Sequence, residues 1–591
     1  MKKRQEILEE FKWDLSDYFS NDNEWKELFL KTKEEYKKVC EFENNLTTKE
    51  NIYNCLESEN KISQNLGLLY VYASLKVKED STNSFYLNLL NKIDKLSVQV
   101  EQDFSFITSE IKELSDDFLI ELSNDIQLKN YDLYFKDIVK NKKHMLSKCE
   151  EKLLAGTGEF SGDFSDIFDK FDTADIKFDN IVDCNGKTYE MNNSVYAKYS
   201  VSRDRVLRKN AYKSMNGAYG KLNNTLTAIY MGNVKSDCFY SKIRNFPSSL
   251  AASLYGEEVD ESVYKTLIKS VNDNLKTFHK YFDLKKDVLG VDKLAIYDVR
   301  VGTDENEKEY AYDEAYDIVI NSTKVLGEDY IDVLKQAKQQ RWLDIYANEG
   351  KDTGAFSWGF YGKHPVVLLN YEDTISDVFT LGHELGHSMH TYYSNNAQPV
   401  QKAGYEIFVA EVASTVNEML ILTYLLNQAK TDKEKACYYD HLFKMFYSTI
   451  FRQTLFSEFE EYVHKAYENG EETTPKAINE YYYNLNRKYF GEKVEFVDEL
   501  KYEWSRIPHF YSSFYVYKYA TGLISAFYIA NQITSGNKEV LKGYREFLTL
   551  GSTKPPVELL KVAGVDLNDK NAFDYVFDQM DKLLDEWSKL I

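Results

Sequence analysis

Along the first 175 or so residues, apolar positions recur at helical spacing. Residues 65–75 (NLGLLYVYASL) form one such stretch, and residues 85–90, continuing through Ile93 and Leu96, form another. The pattern changes over residues 176–190. Ile176-Lys177-Phe178 and Ile181-Val182-Asp183 lead to Asn185-Gly186, then to Lys187-Thr188-Tyr189. Asn-Gly between apolar runs predicts a β-hairpin. It separates an N-terminal helical region, residues 1–195, from a second region, residues 196–591, in which helical periodicity resumes near Arg203. The short basic stretch of residues 203–209 reads as a solvated helix face. Residues 366–371 (VVLLNY) read as a strand, after a loop of glycines and aromatics at 354–362 (GAFSWGFYG). Such a strand can offer free backbone groups to an extended peptide, and the glycines would let the peptide approach closely. Beyond it, Ile375, Val378, Phe379, Leu381, Leu385 and Met389 sit roughly at helical spacing. Asp373 and Thr374 supply N-cap chemistry, and Ser394-Asn395-Asn396 with Pro399 supply a stop. Seven prolines and 26 glycines in 591 residues leave the chain weakly punctuated, so long helices follow. The fold expected is mainly α, with a small β element next to the 375–390 helix.

That helix carries the chemistry. It contains His383-Glu384-Leu385-Gly386-His387, the His-Glu-x-x-His pattern. Histidines at i and i+4 lie one turn apart on one helix face, where both imidazoles can reach a single tetrahedral Zn²⁺. Glu384 sits beside the metal, placed to take a proton from a zinc-bound water. A third ligand is sought downstream. Residues 407–415 (IFVAEVAST) are apolar and helical with one charge, Glu411, 24 residues after His387. A charge within an apolar run is rarely buried without a partner. Either Glu411 points to solvent or it meets a cation; beside the upstream motif, the ligand reading is favoured. Two histidines and a glutamate leave the fourth position open, as catalytic sites do. Glu418, two turns on, can accept from the far nitrogen of a ligating histidine or lie on the surface. His144, His441 and His464 lack companions and read as structural.

The net charge of −22 argues against nucleic acid or an anionic membrane as the main partner. Six scattered cysteines without Cys-x-x-Cys spacing suggest free thiols in a reducing compartment. The first ten residues lack the apolar core of a signal peptide, and no run of about 18 apolar residues is present. A cytoplasmic location is expected.

Near the C-terminal end, residues 507–519 (IPHFYSSFYVYKY) place His509 among tyrosines. Tyr511, Tyr515 and Tyr519 recur every four residues, as if along one helix face. Aromatic stripes are often core, but phenol and imidazole N–H groups also serve as oxyanion donors.

Four segments in this order (354–359, 380–390, 410–415 and 507–517) resemble the zinc oligopeptidases of the thimet-oligopeptidase superfamily, and within it the bacterial oligoendopeptidase F group of peptidase family M3. The resemblance runs over most of the chain, and is weaker in its first 175 residues. It implies two helical halves enclosing a deep central channel, and one Zn²⁺ per chain held by His383, His387 and Glu411. It further implies Glu384 as base, and His509 with Tyr515 and Tyr519 (Tyr511 in reserve) as oxyanion donors. The implied reaction is hydrolysis of internal bonds in short peptides. A carboxypeptidase-type metallopeptidase and a non-catalytic peptide-binding protein remain as alternatives.

Overall fold

The computed structural model describes residues 2–302 and 308–591. It is mainly helical, with five short strands among the described residues. Two compact units emerge, and the chain passes through each three times. The first comprises Met1–Lys143, Lys308–Ile421 and Ile533–Lys554; the second comprises His144–Glu307, Leu422–Gln532 and Pro555–Ile591.

In the first unit, two long helices, Lys49–Glu79 and Ser84–Glu113, pack against each other. Both begin on side-chain caps: Thr48 Oγ1 accepts from the Asn51 N–H, and Asn83 Oδ1 from those of Phe85 and Tyr86. Their apolar stripes bury Leu69, Leu75, Ile93 and Ile111 completely. Burial on this scale contributes about 1.5–3 kcal/mol for each such side chain. The same core takes in Val366 and Leu368, so the small sheet shares the hydrophobic interior of the long helices.

That sheet has three strands, β3 (Leu343–Asp344), β4 (Phe356–Trp358) and β5 (Val366–Leu368), in the order β3-β5-β4. β5 runs parallel to β3, with Leu343 opposite Val367, and antiparallel to β4, with Ser357 opposite Val367. This corrects the strand-addition reading of residues 366–371. β5 is central, with its backbone groups engaged on both sides, and the edge strands are β3 and β4. The run Val366-Val367-Leu368-Leu369 does not alternate, as befits a strand buried on both faces.

In the second unit, the expected hairpin is present as β1 (Ile181–Val182) and β2 (Thr188–Tyr189), paired antiparallel. Its turn places Gly186 at φ 78°, the left-handed region where glycine is unstrained. Asp183 Oδ1 closes the turn by accepting from the Asn185 and Lys187 N–H groups, both at 2.9 Å. Much of this unit's aromatic content is core. Tyr230 packs against Trp504 at 5.5 Å and Phe459 against Phe510 at 5.3 Å. His144 and His464 are structural, as read from the sequence. His144 stacks on Phe246 at 3.7 Å, and His464 pairs with Asp237 at 3.3 Å.

The Ile407–Gln428 helix is long and apolar enough to span a membrane by composition, yet 67 % of its most apolar stretch is buried within the protein. It is a core helix, and it carries Glu411 and Glu418.

Candidate metal centre

The His383 helix spans Ile375–Ala397 and starts on a reciprocal cap. Thr374 Oγ1 accepts from the Asp377 N–H at 3.2 Å, and the Asp377 carboxylate accepts from the Thr374 N–H at 2.9 Å. Val378, Leu381, Leu385 and Met389 anchor its buried face. Two glycines let the Glu411 helix come close. A Cβ at Gly386 would lie 2.6 Å from Ser414 Cα and 2.8 Å from the Ala413 carbonyl oxygen, and one at Gly382 would collide with Ile421 Cδ1. The crossing is tied by Asn417, which donates to the Gly382 carbonyl at 3.1 Å and accepts from the Tyr330 hydroxyl at 3.1 Å. Ser388 is hydrogen-bonded to Ser357 of β4 at 2.8 Å, fixing the sheet to the same helix.

This crossing brings together the three side chains proposed from the sequence as ligands. His383 Nε2 and His387 Nε2 are 3.2 Å apart, and Glu411 Oε2 lies 3.2 Å from the first and 3.4 Å from the second. Among the described residues, this is the group of three or more histidine, cysteine or acidic side chains able to hold a metal ion. Ligands at 2.0–2.1 Å from a tetrahedral Zn²⁺ are separated by about 3.3 Å, so the donor set fits that ion. His383 is oriented from behind, its Nδ1–H donating to Glu418 at 2.6 Å and leaving Nε2 directed at the cluster. Ser414 Oγ reaches the Glu411 carboxylate at 3.3 Å.

The electrostatics follow from the crowding. Burial alone would lower the His383 pKa, but its hydrogen bonds to Glu411 and Glu418 overcome this and push it up to about 10. Burial raises Glu411, and the two histidines outweigh that, holding it well below the usual carboxylate range. Glu384 is 7 % exposed and makes no direct bond within the cluster. Burial raises its pKa; the histidines oppose the shift while Glu411 and Glu418 add to it. A carboxylate shifted toward neutrality suits proton transfer. His390, one turn beyond His387, is outside the cluster. It is buried, stacked on Tyr405 at 3.8 Å, and its pKa is driven down to about 3 by burial, so it stays neutral.

His509, Tyr515 and Tyr519 belong to the second unit and lie near one another. Tyr519 Oη is 3.4 Å from His509 Nε2, and the rings of Tyr515 and Tyr519 are 5.4 Å apart. Burial lowers the His509 pKa, favouring the neutral ring. The shared helix face expected for Tyr511, Tyr515 and Tyr519 is absent. Pro508–Tyr511 is a single 3₁₀ turn, Phe514 sits at φ 58°, and the helix proper runs Tyr517–Thr534. Tyr511 is instead stacked on Phe168 at 4.7 Å as part of a hydrophobic core. The loop is held by Ser513, which donates to Asp237 at 2.5 Å.

Sequence reasoning missed Gly386, Ser414 and Asn417. Gly382 and Gly386 at i and i+4 beside the ligands were the available signal of a close helix crossing.

A mainly helical scaffold presenting two histidines and a glutamate around one point, with a further buried glutamate beside them, is an arrangement that metal-dependent peptidases use. The sequence profile described as peptidase family M3 matches residues 199–578, and that described as oligopeptidase F matches residues 110–178. The chain belongs to peptidase family M3. It is 36 % identical over 594 residues to oligopeptidase PepF of Bacillus subtilis, covering 100 % of this chain and 88 % of that protein. A solved structure from Chlamydophila abortus superposes with a TM-score of 0.96 at 33 % identity, covering 100 % of both chains. The crystal structure of oligoendopeptidase-F from Enterococcus faecium gives a TM-score of 0.73 at 32 % identity, over 96 % of this chain and 99 % of that one.

Proposed function

We propose that the chain is a zinc-dependent endopeptidase that hydrolyses internal bonds of short oligopeptides. The observation that carries this reading is the 3.2–3.4 Å triangle of His383, His387 and Glu411 with Glu384 buried beside it. When bound, zinc supplies a Lewis acid that polarises the scissile carbonyl and acidifies water. The other roles belong to the chain. Glu384 accepts the proton of the attacking water and returns it to the leaving amine. Glu418 fixes the tautomer of His383. His509 and Tyr519, with Tyr515 next to them, donate hydrogen bonds to the oxyanion of the tetrahedral intermediate; one such donor contributes about 3–4 kcal/mol.

In this reading residues 196–591 form the catalytic region and residues 1–195 a helical N-terminal region. The six cysteines form no disulfide among the described residues, which favours a reducing, cytoplasmic setting, and short peptides are the partners. The names of the E. faecium and B. subtilis relatives support oligopeptide substrates. The test is digestion of a peptide blocked at both termini, with and without a chelator. Internal cleavage that the chelator abolishes and zinc restores is expected. Failure to cut the blocked peptide, with trimming of a free C-terminus, would indicate a carboxypeptidase instead.

A further inference from the structure

A cavity of about 250 Å³ in the second unit is lined by four arginines, Arg208, Arg300, Arg452 and Arg506, and by one acidic side chain, Glu503. Its acids are shared. Glu503 binds both Arg452, at 2.8 Å, and Arg506, at 3.2 Å. Asp298, just behind the wall and fully buried, binds both Arg205 and Arg208 at 2.7 Å. Arg300 makes no ion pair among the described residues. Counting the groups behind the wall, five guanidinium groups therefore face three carboxylates, Glu503, Asp298 and, beside Arg205, Glu495, in a chain whose overall charge is −22. An excess of partly buried positive charge is costly unless a counter-charge is brought to it.

Unused donors point the same way. Tyr212 is 6 % exposed, lines the cavity, and its hydroxyl has no hydrogen-bond partner. Tyr196 and Tyr447 line the same wall, and among the described residues their hydroxyls make no hydrogen bond either. The Nη1 of Arg506 and the whole guanidinium of Arg300 are likewise uncommitted among the described residues. Tyr447 and Ser448 come from a π-helical turn, Phe446–Phe451, a rare geometry that recurs at functional sites. Arg300 also lines an adjoining open pocket with Lys198, Arg203 and Lys444, the last paired with Asp440 at 2.6 Å, and none of the described residues that line it is acidic. The basic stretch of residues 203–209 thus contributes Arg205 and Arg208 to this cluster as well as a solvated face.

We propose that this cavity binds a small multivalent oxyanion, a phosphate ester or a polycarboxylate, through Arg300, Arg506 and the Tyr212 hydroxyl. Guanidinium forks match the oxygen pairs of either ligand. Inorganic phosphate and malonate, each replacing chloride at constant ionic strength, serve as probes, with thermal shift and calorimetry on the full-length protein as readouts. A saturable rise in melting temperature is expected for at least one of them. A response to phosphate alone assigns a phosphoryl ligand, and a response to malonate alone a carboxylate. Arg300→Gln and Tyr212→Phe should each weaken the binding by about tenfold to a hundredfold. The first removes a surface charge and the second a hydroxyl with no partner, so both should fold. No saturable response to either anion, or equal binding by both variants and the parent, would overturn the proposal.

Discussion

Replacing Gly386 with alanine should damage the metal centre far more than it damages stability. The new Cβ would meet Ser414 Cα at 2.6 Å, the Ala413 carbonyl oxygen at 2.8 Å and Ser414 N at 3.0 Å. All three are backbone atoms, so no side chain can rotate away. Reaching ordinary contact at 3.4 Å requires the two helices to part by roughly 0.8 Å along that line. Those helices carry His383 and His387 on one side and Glu411 on the other. Metal–ligand distances tolerate only about 0.2 Å, so zinc affinity should fall by about a hundredfold or more. The stability cost of overpacking, about 1–3 kcal/mol, is partly offset by the roughly 1 kcal/mol that alanine gains over glycine in a helix. Competition titration of zinc against a chromophoric chelator reads the first effect, and thermal denaturation the second. Gly382→Ala is the control, because its Cβ clashes with the end of the Ile421 side chain rather than with backbone. It should bind zinc nearly as the parent does. A folded Gly386→Ala variant with parental zinc affinity would refute the claim that this crossing sets the ligand geometry.

Other substitutions separate roles. Tyr519→Phe should lower kcat about 10²-fold with an internally quenched peptide. Tyr511→Phe should leave kcat unchanged, since that ring is stacked on Phe168 in the core; the reverse ranking would reassign the donors. Glu418→Ala should reduce zinc affinity by about 10–100-fold without unfolding the protein, as read by chelator competition and circular dichroism. Glu460 is buried, and burial raises its carboxyl from 4.5 to about 8, so between those values the folded state holds a proton that the unfolded state has lost. Stability should therefore fall as pH rises through that window, by on the order of a few kcal/mol. Glu460→Gln should flatten the slope, leaving the part due to His464, whose pKa is also raised, so its melting temperature gains on the parent between about pH 5 and 8; parallel pH profiles would contradict this.

What was legible in the chain was what is local. His383 and His387 share a face because a helix repeats every 3.6 residues, and that required no knowledge of the rest of the fold. Glu411 was legible because a single charge in an apolar run needs a partner. Its distance to the histidines depends on Gly386 meeting the backbone of Ser414, a contact between segments far apart in sequence. The tyrosine register failed for a different reason. Spacing by four implies one face only if the helix is continuous, and Phe514 at φ 58° interrupts it. Nothing in the residue type announces a left-handed phenylalanine. The central position of β5 was readable from its unbroken apolar run, whereas alternation would have marked a strand with one exposed face. The arginine cavity was opaque, because Arg208, Arg300, Arg452 and Arg506 converge from four separate parts of the chain.

The central claim is that His383, His387 and Glu411 hold one zinc ion while Glu384 moves the proton. Glu384→Gln, nearly isosteric, tests both halves when metal content and turnover of a doubly blocked peptide are measured on the same preparation. Expected are one zinc per chain, as in the parent, and a kcat lower by about 10²–10⁴-fold. A variant that retains its zinc and cleaves the peptide at close to the parental rate would contradict that assignment.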